Sequence, residues 1–152
     1  MIEVKNLCFS YPGNNEDTIK ELDFKINRGE IFGFLGPSGA GKSTTQKILI
    51  GILRNYRGNV RVGGKEVNNT GTDFYEKIGV AFEFPNFYSK LTALENLNYF
   101  ASFYSEMITE PKQLLSLVGL EQDIDNLCHG FSPTMERRRL FVGTPLFLPI
   151  CH

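Results

Sequence analysis

The sequence has few cysteines and almost no excess of charge. Its 152 residues include three cysteines, Cys8, Cys128 and Cys151, which are widely spaced and form no C-x-x-C pair. An odd number of scattered cysteines argues against a disulfide framework or a zinc site and is typical of thiols in a reducing compartment. Sixteen Lys and Arg residues against 17 Asp and Glu residues give a net charge of −1. The charge therefore creates no basic field of the kind that would indicate binding to nucleic acid or to an anionic membrane.

Long apolar segments are also missing. The first residues, Met1-Ile2-Glu3-Val4-Lys5, contain no apolar core of a secretory signal. The longest mostly apolar stretch, 140–150, is interrupted by Gly143, Pro145 and Pro149. It is shorter than the roughly 20 residues of a membrane-spanning helix. We therefore expect a soluble, cytoplasmic chain, for which any membrane role comes through a partner.

Alternating and continuous apolar runs predict strands of two kinds. With 41% hydrophobic and 22% charged residues, the composition is that of a globular domain. The pattern predicts half-buried strands over residues 2–9 and 22–26, and Gly63-Gly64 predicts a hairpin over residues 59–67. Residues 31–35 are apolar throughout, which is typical of a parallel strand buried on both faces.

Local signals predict two helices in the second half of the chain. Thr92-Ala93-Leu94-Glu95 is a capping box, in which the Thr hydroxyl and the Glu carboxylate each accept from a backbone N–H. A second helix is expected from about Glu110 to Val118, with Pro111 in its first turn and Gly119 at its C-terminal end.

A glycine-rich loop carries the strongest functional signal. Its residues fit the pattern G-x-x-x-x-G-K-[ST], between an apolar run and helical spacing over residues 48–53: Gly36, Pro37, Ser38, Gly39, Ala40, Gly41, Lys42, Ser43 and Thr44. Backbone N–H groups of such a loop, and of the helix after it, point at phosphate oxygens. Lys42 adds a point charge for the β- and γ-phosphates, and the Ser43 hydroxyl is an oxygen ligand for Mg²⁺.

Two further observations narrow the class of nucleotide. The chain contains no Asn-Lys-x-Asp segment, the guanine-reading element expected of a GTPase. Tyr11 lies 25 residues before Gly36, at the end of the first predicted strand. An aromatic ring there can stack on an adenine. The alternative is that Tyr11 only covers the hydrophobic edge of that strand.

Several ordered segments together resemble the nucleotide-binding domain of ABC-type transporters, over residues 2 to about 131. Phe9-Ser10-Tyr11 resembles the aromatic adenine-stacking loop of the family, and residues 31–45 resemble its phosphate-loop strand. Residues 58–65 resemble the strand and hairpin that follow, and residues 78–97 resemble the passage that opens the helical subdomain. The most similar subgroup is the stand-alone ATP-binding subunits of exporters, including antibiotic and multidrug exporters.

The resemblance implies an α/β fold: a P-loop NTPase core with an antiparallel β subdomain and the start of a helical subdomain, the C-terminal third being missing. Residues 1–82 are expected to form the β subdomain and the core, residues 83–139 the helical subdomain and residues 140–152 an atypical tail. The implied ligands are ATP, held by Tyr11 and the glycine-rich loop, and Mg²⁺, held by Ser43 and Glu83.

The resemblance also implies an activity and partners. The activity is ATP hydrolysis that drives transport by a separate transmembrane subunit, at the inner face of the cell membrane. The second implied partner is another nucleotide-binding domain, in a homodimer or a heterodimer, and no nucleic acid is expected.

Three departures separate this chain from the family pattern. Glu83 stands where the family usually has a Gln that helps to bind Mg²⁺, and it is either a variant metal ligand or a solvated loop acid. In the signature region Ser132 is followed by Pro133 and Thr134 in place of two glycines, so we expect no γ-phosphate site there. No acidic residue follows Glu136, so the Asp-Glu pair that holds Mg²⁺ and polarises the attacking water is missing.

These departures leave alternative functions open. One is an ATP-binding subunit whose hydrolysis drives export. Another is a non-hydrolysing nucleotide-binding fragment or pseudo-subunit, truncated or frameshifted near the signature region. In either case we expect hydrolysis by this chain alone to be very weak. A different P-loop enzyme, such as a small-molecule kinase, is opposed by the alternating outer strands and by Tyr11. In the family the Asp-Glu strand lies beside the strand at 31–35, so without it we expect an unpaired edge there.

Overall fold

The computed structural model describes residues 1–80, 88–104 and 109–128. These residues belong to two units, of which the first spans Met1–Gly71 and the second begins at Thr72. Each unit buries apolar residues of its own.

An antiparallel sheet is the main element of the first unit. Its strands are β1 (Ile2–Phe9), β2 (Ile19–Ile26), β3 (Arg57–Val62) and β4 (Lys65–Glu66), in the order β2-β1-β3-β4. Val4 of β1 faces Phe24 on one side and Val60 on the other, and Val4 and Val60 are buried. The strands expected at residues 2–9 and 22–26 and the hairpin expected at 59–67 are thereby confirmed, with β2 beginning already at Ile19.

The hairpin between β3 and β4 is held by its turn and by one carboxylate. Gly63 and Gly64 have φ values of 60° and 84°, the pair of positive angles that a two-residue type I′ turn requires. Glu66 accepts hydrogen bonds from the Tyr56 hydroxyl (2.9 Å) and the Val60 N–H (3.1 Å). Burial, reinforced by the Glu66 carboxylate, raises the pKa of Tyr56 above its ordinary value. The turn and the carboxylate together keep β4 in register with β3.

Two irregular residues mark bulges between β1 and β2. Asn6 and Glu21 have positive φ values of 49° and 47°, close to the points where the strand register shifts. Their N–H groups donate to the opposite strand, that of Asn6 to Asp23 Oδ1 (2.9 Å) and that of Glu21 to Cys8 Sγ (3.2 Å). Gly58 crosses the first bulge so closely that a Cβ there would lie 2.2 Å from the Asn6 carbonyl oxygen. Only glycine fits at this crossing.

Helix α1 (Lys42–Leu49) is shorter than the apolar spacing predicts. Ile48 is buried, as that spacing requires, but Ile52 is 53% exposed. Gly51, with a φ of 75°, follows the C-cap. Its N–H donates to the Ile48 carbonyl, and the Ile52 N–H donates to the Lys47 carbonyl (2.9 Å each). This pair of bonds is the Schellman arrangement, in which a glycine ends a helix. The expected helical spacing to residue 53 was therefore wrong beyond Leu49.

The apolar segment 31–35 differs from its prediction. It forms no strand with any residue that the structure describes, and Ile31 and Leu35 are 104% and 96% exposed. The rings of Phe32 and Phe34 pack on Phe24 of β2, with centroids 5.4 and 5.5 Å away. A parallel strand is stable only beside neighbours that complete its hydrogen bonds, and the described residues supply none. The doubly buried strand was therefore a wrong prediction, and the expectation of an unpaired strand edge there stays a prediction.

Three helices, α2 (Thr72–Tyr75), α3 (Ala93–Ala101) and α4 (Pro111–Leu117), form the described part of the second unit. The Thr92 hydroxyl accepts from the Glu95 N–H (3.1 Å), and the Glu95 carboxylate accepts from the Thr92 N–H (2.8 Å), so the capping box is confirmed. Gly119, with a φ of 70°, follows the C-cap of α4 as predicted. α3 and α4 share a buried apolar cluster of Ala93, Leu97, Leu114, Leu115 and Leu120.

A buried amide connects α3 to the segment before it. Asn96 is fully buried, its Oδ1 accepts from the Tyr88 N–H (2.9 Å), and its Nδ2 donates to the carbonyls of Tyr88 (3.0 Å) and Thr92 (2.9 Å). Two further N–H groups at the start of α3 donate to the carbonyls of residues 126 and 124 (3.3 and 3.2 Å). The N-terminal donors of this helix are therefore satisfied inside the unit.

The described helices are short. The longest, α3, has 9 residues, against the roughly 20 that a membrane span needs. Among the residues that the structure describes, no helix is therefore long and apolar enough to cross a bilayer.

Asn96→Asp should destabilise the second unit in a pH-dependent way. At neutral pH the new carboxylate would face the carbonyls of Tyr88 and Thr92, which the amide now serves as a donor, at a cost of about 2–4 kcal/mol. Such a carboxyl has a raised pKa in the folded state, so the loss grows as the pH rises above the ordinary Asp range and shrinks towards pH 4. Urea unfolding at both pH values measures it.

The matched control for this substitution is Asn98→Asp, because Asn98 is an exposed residue of the same helix. It should change the unfolding free energy by no more than about 0.5 kcal/mol. Equal effects of the two variants at both pH values would contradict the described role of Asn96.

Replacing Ile31 and Leu35 by Lys should reduce aggregation of the chain. Both side chains are almost fully exposed, so their loss removes no buried area and should change the unfolding free energy by less than about 0.5 kcal/mol. Charges on an exposed apolar segment oppose its association with a second copy of the chain. Light scattering against protein concentration measures the effect. The control adds the same charge at the exposed residues Ile52 and Leu117, and an equal improvement there would assign the effect to net charge alone.

Candidate nucleotide-binding site

The glycine-rich loop packs against the start of β2. Gly39 and Gly41 have φ values of 82° and 84°, in the left-handed region where a side chain is strained. Gly41 is also buried, and a Cβ on it would lie 3.3 Å from both the Thr18 carbonyl oxygen and Ile19 Cγ1. The last glycine of the motif is therefore required by its backbone angle and by a close approach.

The first turn of α1 leaves backbone donors at the loop. Gly41 is the N-cap and has no side chain with which to bond them. The Thr45 N–H (2.8 Å) and hydroxyl (2.9 Å) both bind the Gly41 carbonyl, so the first intrahelical bond begins there. The N–H groups of Lys42, Ser43 and Thr44 precede that bond and have no acceptor within the helix. With the helix dipole they make a positive end that suits an anion.

Lys42 folds back over the loop. Its Nζ donates to the carbonyls of Gly36 (2.8 Å) and Pro37 (2.6 Å), and the Ala40 N–H also donates to the Pro37 carbonyl (3.3 Å). The positive charge thus lies over the loop itself. An ammonium group has three donors, so it can hold a loop carbonyl and a phosphate oxygen together.

A depression of about 430 Å³ brings the loop together with the aromatic residue predicted to stack on adenine. Its lining residues are Tyr11, Thr18, Ser38, Gly39, Gly41, Lys42, Ser43 and Thr44. The remaining loop residues, Gly36, Pro37 and Ala40, shape the loop through the bonds given above. Glu83 and the signature region, 130–139, lie outside the described residues.

Tyr11 contacts both β1 and the loop helix. Its hydroxyl oxygen lies 3.1 Å from Thr44 Oγ1, and its ring meets the ring of Phe9 edge-on, with centroids 5.0 Å apart. The Phe9 contact fits the interpretation that Tyr11 covers the strand edge. The shared depression fits the interpretation that it contacts a nucleotide. Adenine stacking by Tyr11 stays a prediction.

Thr18 is a lining residue that the sequence did not suggest. Its N–H donates to the Phe9 carbonyl (2.7 Å), at the point where β1 and β2 begin to pair. No motif marks this position. The pairing of Phe9 with Ile19 would have placed Thr18 beside Tyr11, had the strand register been known.

The side-chain oxygens of the loop that could bind a metal ion belong to hydroxyl groups. Ser43 is exposed in the first turn of α1. Within the described ranges, no group of three or more His, Cys, Asp or Glu side chains is arranged to hold a metal ion. A lone hydroxyl suits Mg²⁺, which keeps several waters and takes its other ligands from substrate phosphates.

Comparison with protein families assigns the chain to a family. A family model described as ABC transporter matches residues 19–144. The chain belongs to the ABC transporter family. ATP is the nucleotide of this family, and its ATP-binding subunits work with membrane subunits.

This ABC transporter chain has curated relatives that are longer than itself. It is 50% identical over 141 residues to a fluoroquinolones export ATP-binding protein of Mycobacterium tuberculosis (strain CDC 1551 / Oshkosh). It is 33% identical over 150 residues to a linearmycin resistance ATP-binding protein of Bacillus subtilis (strain 168). The alignments cover 93% and 96% of this chain but 47% of each relative. The chain therefore spans about half the length of the curated relatives it matches.

Solved structures of ABC proteins share the fold. The structure of an ATP-binding subunit of an ABC transporter matches with a TM-score of 0.81 and 27% identity, over 96% of this chain and 62% of that one. A dimeric ATP-binding cassette in a post-hydrolysis state, bound to ADP and Pi, matches with a TM-score of 0.78 and 25% identity, over 94% and 68%. The expected fold class of this ABC transporter chain is thereby confirmed.

Gly41→Ala should destabilise the chain more than Gly39→Ala. The two glycines have nearly the same φ, so each substitution has a similar backbone cost of about 1–2 kcal/mol. At Gly41 the new Cβ also presses on Thr18 and Ile19, whereas at Gly39 it meets nothing within 4 Å. Urea unfolding of the two variants measures the difference. Equal losses would show that the loop does not pack on β2 as described.

Proposed function

We propose that this chain is an ATP-binding subunit of an ABC-type exporter, which couples ATP binding and hydrolysis to transport by a separate membrane subunit. One observation carries the proposal: the phosphate loop and Tyr11 line the same depression, although 33 residues separate Tyr11 from Thr44. A nucleotide needs a positive phosphate cradle and a flat contact for its base, and both are within reach here.

The triphosphate would lie on the loop. The N–H groups at the start of α1 and the Lys42 ammonium supply the positive charge, and the exposed backbone of residues 36–40 allows close approach. Tyr11 and Thr18 would line the base and ribose end of the depression. The first unit therefore supplies the nucleotide site, and residues 83–139 are proposed to form the helical subdomain.

Mg²⁺ fits the donors at this loop, with Ser43 as the hydroxyl ligand and Glu83 as a further proposed ligand. When bound, the ion neutralises charge on the β- and γ-phosphates. Ser43 lies in the first helical turn and lines the depression, which supports the proposal that its hydroxyl faces the phosphate end.

Hydrolysis is the step for which the described part of this chain offers least. Among the described residues that line the depression there is no Asp or Glu, and water attack on a phosphate needs an acceptor for its proton or a group that orients it. This observation favours a second candidate, a nucleotide-binding chain that hydrolyses ATP very weakly by itself. Both candidates predict the same binding step.

The partners and substrates are inferred from the relatives. Their names assign fluoroquinolones export and linearmycin resistance to those proteins. We extend an exporter role to this chain, with a membrane subunit holding it at the inner face of the membrane. A second nucleotide-binding domain is proposed because a neighbouring structure is a dimeric cassette.

Lys42→Ala should abolish the stabilisation of the chain by ATP and Mg²⁺. A ligand at a hundred times its dissociation constant stabilises the wild type by about 2.7 kcal/mol, which thermal melting detects as a higher Tm. The variant lacks the ammonium group that lies over the loop. Lys47→Ala is the matched control, since Lys47 is an exposed residue of the last turn of α1. It should keep the full shift.

The same samples separate the two candidates through phosphate release. An ATPase subunit gives multiple turnover that disappears in Lys42→Ala, whereas the non-hydrolysing candidate gives the thermal shift without turnover. Absence of any ATP-dependent shift in the wild type would refute both.

A further inference from the structure

Two hydroxyl groups from distant parts of the chain meet at the nucleotide site. Tyr11 follows β1, Thr44 lies in the first turn of α1, and their oxygens are 3.1 Å apart. Thr44 is only 7% exposed although it lines the depression, so most of its surface contacts protein rather than water. The phenol is the more acidic of the two groups, so we assign the donated proton to Tyr11.

Neighbouring contacts keep this pair in place. The Phe9 ring meets the edge of the Tyr11 ring, and the Phe9 carbonyl accepts the Thr18 N–H at 2.7 Å. The Thr18 carbonyl in turn lies against Gly41, where no Cβ would fit without strain. The segment that carries Tyr11 is thus anchored to the loop at two points, one through its backbone and one through the tyrosine hydroxyl.

We propose that Thr44 is a positioning residue for Tyr11. By accepting the hydrogen bond, Thr44 fixes the distance between the aromatic ring and the phosphate loop. The site then prefers a ligand that has both a base and a phosphate chain. Inorganic polyphosphate, which offers no base, gains nothing from the fixed ring. This inference rests on the nucleotide-binding function proposed above.

The physical basis is preorganisation. Tyr11 is half-buried, and without the bond its ring would be held in the depression by the Phe9 contact alone, so we expect it to be less ordered there. A ligand would then have to order the ring when it binds, which lowers affinity. When Tyr11 donates, Thr44 keeps its own hydroxyl hydrogen for another acceptor, so the ring and a phosphate can use the same threonine.

The test compares the affinities of the full chain for ATP and for inorganic tripolyphosphate, both with Mg²⁺, by calorimetry. The informative quantity is their ratio, because uniform damage to the phosphate loop changes both affinities alike. Tyr11→Phe keeps the ring but removes the hydroxyl, and it should lower the preference for ATP about three- to tenfold. Tyr11→Ala should lower it at least as far.

Substitutions at Thr44 test the other side of the bond. Thr44→Val keeps the shape of the side chain without its hydroxyl, and it should lower the ratio to the level of Tyr11→Phe. Adding Tyr11→Phe to Thr44→Val should then change the ratio little, since the same bond is already broken. Thr44→Ser retains a hydroxyl and should restore the preference. Tyr75→Phe, a hydroxyl deletion in the second unit, is the matched control and should leave the ratio unchanged.

The outcomes separate this inference from the function it rests on. If Tyr11→Ala lowers the ratio but Tyr11→Phe does not, the ring contacts the base without needing Thr44, and the positioning role is overturned. If neither variant lowers the ratio while ATP binding still requires Lys42, Tyr11 is not in the site and the inference fails although the proposed function stands. If the wild type binds neither ligand, the proposed function fails first.

Thermal melting without ligand checks that the variants are folded. In thermal melts, Tyr11→Phe, Thr44→Val and the double variant should all unfold cooperatively. The double variant should melt no lower than the less stable single variant. Strictly additive losses in Tm would contradict the hydrogen bond itself.

Discussion

The proposed nucleotide site depends on the close approach of Gly41 to the start of β2. A Cβ at that point would lie 3.3 Å from the Thr18 carbonyl oxygen, so the absence of a side chain lets the loop reach the sheet. The contact brings Tyr11 of the β1–β2 connection into the depression that the loop lines. A phosphate cradle alone would serve many enzymes, but a cradle joined to an aromatic ring suits a nucleotide.

Strand β1 and the segment 31–35 differ in how completely the described residues pair with them. β1 is paired on both sides, and its bulge at Asn6 is closed by Gly58 and Asp23. The segment 31–35, which leads into the loop, has partners only for its Phe side chains among the described residues. Its Ile31 and Leu35 side chains are exposed, because a run of apolar residues is buried only where neighbouring elements cover it.

The second unit is stabilised by satisfied backbone groups as much as by its apolar cluster. Thr92 and Glu95 cap α3 reciprocally, and Asn96 bonds both the backbone N–H and the backbone carbonyl of Tyr88 from a fully buried position. An amide in that place costs stability unless every bond is made, so a side chain of the wrong hydrogen-bonding type is more damaging there than a change of volume.

Local backbone chemistry determined the features that the sequence predicted correctly. The capping box at Thr92, the turn at Gly63-Gly64 and the glycine-rich loop each depend on residues a few positions apart, so the sequence by itself determined them. The hydrogen bond between Tyr11 and Thr44, the lining role of Thr18 and the exposure of Ile31 and Leu35 were decided only by the tertiary structure. They depend on strand register, on bulges and on which neighbours a strand finds, and those are properties of distant segments that no local pattern encodes.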